Sequence, residues 1–132
     1  MSEITSPLAL RTKLLADAAF CIIGGVLLML AAGPLAPLVR LPRPLLFWVG
    51  VVLLPVAAAN AWLGLRLQAP RRALLAMVLW NTLWAIDSVL AVVFDWVPAS
   101  MIGTTIVLAQ ALAIAILAYA EYHDISAGTF RA

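Results

Sequence analysis

Four nearly uninterrupted apolar runs decide what this chain can fold into: Leu14 to Ala32, Leu45 to Leu65, Ala73 to Val93 and Met101 to Ala120. Each holds about 20 residues, the length at which a helix rising 1.5 Å per residue crosses a hydrocarbon core of about 30 Å. Charge is correspondingly scarce. Only 11% of the 132 residues are charged and 66% are hydrophobic, against roughly 25% charged in an ordinary soluble domain. The mean hydropathy of +1.12 says the same. The sequence therefore predicts an all-α fold, a transmembrane four-helix bundle forming one integral membrane domain over residues 1–132. With so little chain outside the spans, its function lies within the bilayer or with a partner.

Prolines and basic residues punctuate the runs. Gly33, Pro34 and Pro37 are expected to end the first helix, Pro42 and Pro44 to precede the second, and Pro70 to break the second connection. Pro98 with Ser100 marks the start of the fourth helix. Pro55 falls inside the second run, where a membrane bundle can absorb the lost hydrogen bond. Arg11, Lys13, Arg66, Arg71, Arg72 and Arg131 fall on one side of the spans, and Arg40 and Arg43 on the other. By the positive-inside rule this predicts an up-down-up-down path with both termini cytoplasmic. Arg11 and Lys13 followed by an apolar run and "LAAG" also have the look of a signal peptide, but the run is long for one and fits a first span better.

The few polar residues inside the spans are the candidates for function. In "WNTLWAIDS", a turn of 100° per residue puts Trp80, Asn81, Trp84, Asp87 and Ser88 within one arc of about 120°, opposite a stripe of Leu79, Leu83, Ile86, Leu90 and Val93. The aliphatic stripe suits lipid, so the polar arc is expected to face protein. On the fourth helix Gly103, Val107, Gln110, Ile114, Leu117 and Glu121 share a side, which turns Gln110 inward. Asp17 and Asn60 are expected to form a polar layer near the cytoplasmic side, Asn81 and Gln110 one near the midplane, and Asp87 with Ser88 one toward the outer face. Trp84 or Trp80 can donate an indole N–H to Gln110, or the two rings can wall a flat cavity whose polar end is Asp87. Trp80, Asn81, Trp84, Asp87 and Gln110 are thus the candidate ligand-binding set. Simple helix-to-helix adhesion through the same groups is the plainer reading.

No catalytic constellation emerges. Cys21 is the single cysteine and His123 the single histidine, so neither a disulfide nor a bis-histidine haem site fits one chain, and no metal or cofactor is expected. "AEYHD", residues 120–124, reads as a solvated interfacial tail with Tyr119 and Tyr122 at headgroup depth. Gly24, Gly25 and the pairs Ala109/Ala113 and Ala111/Ala115 are small enough to let helix backbones approach closely.

The runs "LADAAFCIIGGVLLMLAAGPLAPLVRLP", "WNTLWAIDSVL" and "GTTIVLAQALAIAILAYAEY" together resemble small uncharacterised bacterial four-helix integral membrane proteins, distantly DoxX-like. The resemblance implies a multi-pass protein of the cell inner membrane and carries over no catalytic residue. The expected function is non-enzymatic: an accessory subunit, or a bundle binding an apolar small molecule or lipid between its helices. The lipid bilayer, a second copy or a membrane protein are the expected partners, and nucleic acid is not. One alternative is a proton-coupled small-molecule transporter acting as a dimer through Asp87, and another is a membrane-embedded oxidoreductase or isomerase.

Overall fold

A computed structural model describes residues 3–129, with side chains over residues 5–126; Arg131 lies outside the described residues. Four helices carry the fold: α1 (Leu8–Val39), α2 (Arg43–Gly64), α3 (Arg71–Val93) and α4 (Met101–Thr129). Each contains a stretch long and apolar enough to cross a membrane. Their surfaces confirm the composition argument. Leu30 is 81% exposed and Ile23 68%, which water would penalise and lipid tails do not. The chain is a multi-pass membrane protein.

Local chemistry sets the helix starts. Pro7, Pro42 and Pro70 stand immediately before α1, α2 and α3, each in an extended conformation with φ between −59° and −64°. Proline is suited to that place because its fixed φ starts the turn and its missing N–H would have no partner there. Ser100 begins α4 differently. Its hydroxyl accepts the backbone N–H of Gly103 at 3.0 Å, satisfying one of the free donors of a helix start.

Three boundaries depart from the sequence reading, the first being that α1 begins at Leu8 and not at Leu14. α1 does not stop at Gly33; it runs through Pro34 and Pro37 to Val39 and ends where Arg40 turns left-handed, φ 57°, with its N–H on Ala36 O at 2.8 Å. Each proline removes only its own donor, and the helix continues on the bonds that remain, as it does through Pro55 in α2. α4 in turn continues past Ala120 to Thr129, so "AEYHD" is helix and not a tail. The structure also contains a short antiparallel pair that the apolar runs do not predict. β1 (Glu3–Thr5) pairs with β2 (Gln68–Pro70), Ile4 opposite Ala69, and ties the chain's beginning to the α2–α3 connection.

α1 packs along α2, α3 along α4, and α1 also meets α4; α2 and α3, though consecutive, touch little. The α1–α2 seam is made by backbone proximity. A Cβ built on Gly50 would stand 2.6 Å from the carbonyl oxygen of Gly25, and one on Gly25 would stand 2.9 Å from that of Gly50. Neither position admits a larger side chain without separation of the helices. The same seam brings Gly64 against Leu14 and Leu15, and Gly33 near Arg43. At the far end of α1, Ser100 N–H donates to Val39 O and Ser100 Oγ donates to Leu38 O, both at 2.9 Å, fastening the start of α4 there. Two apolar clusters result. One, at the Lys13 end, draws Leu10 and Leu14 of α1, Leu63 of α2, Leu74 and Met77 of α3 and Ile125 of α4 together. The other gathers Ala32, Val39 and Leu46 at the Ser100 end.

Candidate functional site

The polar residues of the spans fall into two levels, grouped otherwise than their distance from the helix ends implies. At the first, Asn81 of α3 donates from Nδ2 to Asp17 Oδ2 of α1 at 3.2 Å and to Glu121 Oε1 of α4 at 3.5 Å. Cys21, one turn beyond Asp17, donates its thiol to Asp17 Oδ1 at 3.5 Å. All four residues are buried, with Glu121 at 0% and Asp17 at 5% exposure. One turn nearer the helix ends, Lys13 and Asp124 pair at 2.6 Å and remain partly exposed. Asn81 therefore belongs with Asp17, not with Gln110 at a separate midplane layer.

Asn60 of α2 sits near this level. It is one turn before Gly64, which packs on Leu14 and Leu15, so the α1–α2 register puts it opposite the region of Asp17. Its Nδ2 donates to Val56 O at 3.0 Å, which commits the amide orientation and leaves Oδ1, fully buried, with no partner. Glu121 Oε2 is buried and without a partner as well.

The second level is neutral. The Trp84 indole donates to Gln110 Oε1 at 3.0 Å, as its spacing allowed; Gln110 Nε2 donates to Ser88 Oγ and to Val107 O, both at 2.9 Å; and Ser88 donates back to Trp84 O at 2.8 Å. Trp80 lies 6.0 Å from Trp84 between ring centroids, tilted by 33°. The rings touch, and Trp80 is 39% exposed.

Asp87 corrects the sequence reading. It is exposed, whereas Met77, Asn81 and Ala85 are the buried residues around it on α3. The polar arc exists, yet the inward direction of α3 runs through Asn81 and Ala85, so the bundle faces one edge of that arc and leaves Trp80 and Asp87 on the flank. The aliphatic stripe is where it was expected, with Leu79, Leu83, Ile86 and Val93 all exposed.

No protein-family model, curated protein or solved structure matches the chain. The site must therefore be read from its own chemistry. Among the described residues no group of His, Cys, Asp and Glu is arranged to hold a metal ion. An open apolar groove of about 430 Å³ runs between α3 and α4, lined by Ala85, Ile86, Ala115, Ala118 and Tyr119 among others. Glu121 is the residue that the sequence reading passed over. Its signal was present, since it shares a helical side with Gln110 and Leu117, but it stood one residue beyond the apparent end of the span.

Proposed function

We propose that the protein is a non-enzymatic membrane bundle acting as an accessory subunit, or as the holder of an apolar small molecule or lipid, through the flank of α3 that carries Trp80, Trp84 and Asp87. One observation carries the reading: Asp87 is exposed on a membrane-spanning helix, about 9 Å short of its end at 1.5 Å per residue. A carboxylate held against acyl chains costs about 2.5–3.5 kcal/mol at mid-span and less toward the interface, so this flank gains by being covered. Trp80, beside Asp87 on the flank, adds the large flat apolar surface typical of anchors at protein contacts.

The bundle is proposed to follow an up-down-up-down path in a bacterial inner membrane, with both termini cytoplasmic. Its basic residues support this orientation. Arg11 donates to Gly64 O at 3.1 Å, so the start of α1 and the end of α2 lie on one side, together with Arg66, Arg71 and Arg72 in and after the connection. Native mass spectrometry of gently solubilised protein tests the assignment. A second copy, another membrane protein or a bound lipid or isoprenoid is expected on the wild type and lost from Asp87→Leu/Trp80→Ala; a bare monomer under every mild detergent would overturn it.

A further inference from the structure

We propose that Glu121 and Asp17, bridged by Asn81, form a proton-binding site reached from the Lys13–Asp124 end of the bundle. The argument is an accounting of donors and acceptors. Asp17 has a donor on each oxygen, the Asn81 amide on Oδ2 and the Cys21 thiol on Oδ1. Glu121 has one, the same Asn81 amide on Oε1, and none on Oε2. Asn60 contributes a further buried acceptor, Oδ1, from a different helix. The unpartnered atoms near this level are therefore all acceptors, and a fully buried carboxylate oxygen without a donor is among the costliest groups a protein can hold. A proton on Glu121 Oε2 removes the buried charge and the demand for a donor at that oxygen. It converts one orphaned acceptor into a donor, and it leaves one negative charge, on Asp17, where the two donors already are.

α1 offers Asp17 and Cys21 and, one turn outward, Lys13; α4 offers Asp124 one turn beyond Glu121; α2 and α3 contribute the neutral amides of Asn60 and Asn81, and Arg71 begins α3 at the same end. Lys13 makes its ion pair with Asp124, at 2.6 Å. That pair is partly exposed, so it connects the site to water on one side, whereas Leu117 and Ile114 separate Glu121 from Gln110 on the other. The bound proton comes from, and returns to, water at the Lys13 end.

Infrared spectroscopy of the protein in liposomes, across a pH titration, tests the site. The wild type is expected to show a protonated-carboxyl C=O band that is lost reversibly as pH rises. Glu121→Gln abolishes the band, while Asp95→Asn, at an exposed turn with φ 53° that Asn also accepts, leaves it in place. Asp17→Asn keeps the band and changes the pH at which it disappears, because it removes the adjacent charge; this variant decides the matter if Glu121→Gln fails to fold. Absence of any such band, its persistence in Glu121→Gln, an unmoved titration in Asp17→Asn, or its displacement by sodium but not by choline would each overturn the proposal.

Discussion

The two polar levels of the bundle solve one problem in opposite ways. Around Trp84, Ser88 and Gln110 every group is neutral, and short bonds of 2.8–3.0 Å close the network within two helices. Around Asp17, Asn81 and Glu121 two carboxylates from different helices lean on one amide, through longer bonds of 3.2 and 3.5 Å, with two acceptors left over. The first arrangement is complete in itself and fixes the register of α3 on α4. The second is complete only with something added, which is the usual mark of a working site inside a membrane. Depth within the span does not separate the two; the balance of donors and acceptors does.

Substitutions at the two levels should differ in proportion. Asn81→Leu, which strips the shared donor from both buried carboxylates, is expected to destabilise the bundle by about 3 kcal/mol, the scale of a broken buried charge network; a loss below about 1 kcal/mol in reversible unfolding from mixed micelles would make the levels equivalent. Trp84→Phe, which removes one neutral interhelical bond, should cost about 0.6 kcal/mol and couple to Gln110→Leu by a similar amount in a double-mutant cycle. Lys13→Gln should be smallest. Its partner is partly exposed, so the effect on stability stays below about 0.5 kcal/mol and fades with added salt in the same unfolding assay.

The spans themselves were legible because lipid exposure is written in composition and needs no knowledge of packing. Orientation was not. The arc from Trp80 to Ser88 on α3 is real, but its inward direction depends on where α1 and α4 sit, and they meet it at Asn81 and Ala85, about 60° and about 100° from the arc's centre. Asp87 consequently looked interior and is not. Glu121 looked exterior for the complementary reason: a charged cluster after Ala120 resembles an end of helix when only hydropathy is followed, while the helix actually continues and turns this side chain toward Asn81. Pro34 and Pro37 misled in the same manner, since a proline ends a helix only when no surrounding structure holds the next turn.

The attachment of α4 to α1, through Ser100 on Leu38 and Val39 at one end and Lys13 on Asp124 at the other, makes the fourth helix the closing partner of the first. Until α4 has packed, Asp17 and Asn81 lack the side of their pocket that Glu121 supplies and face acyl chains there.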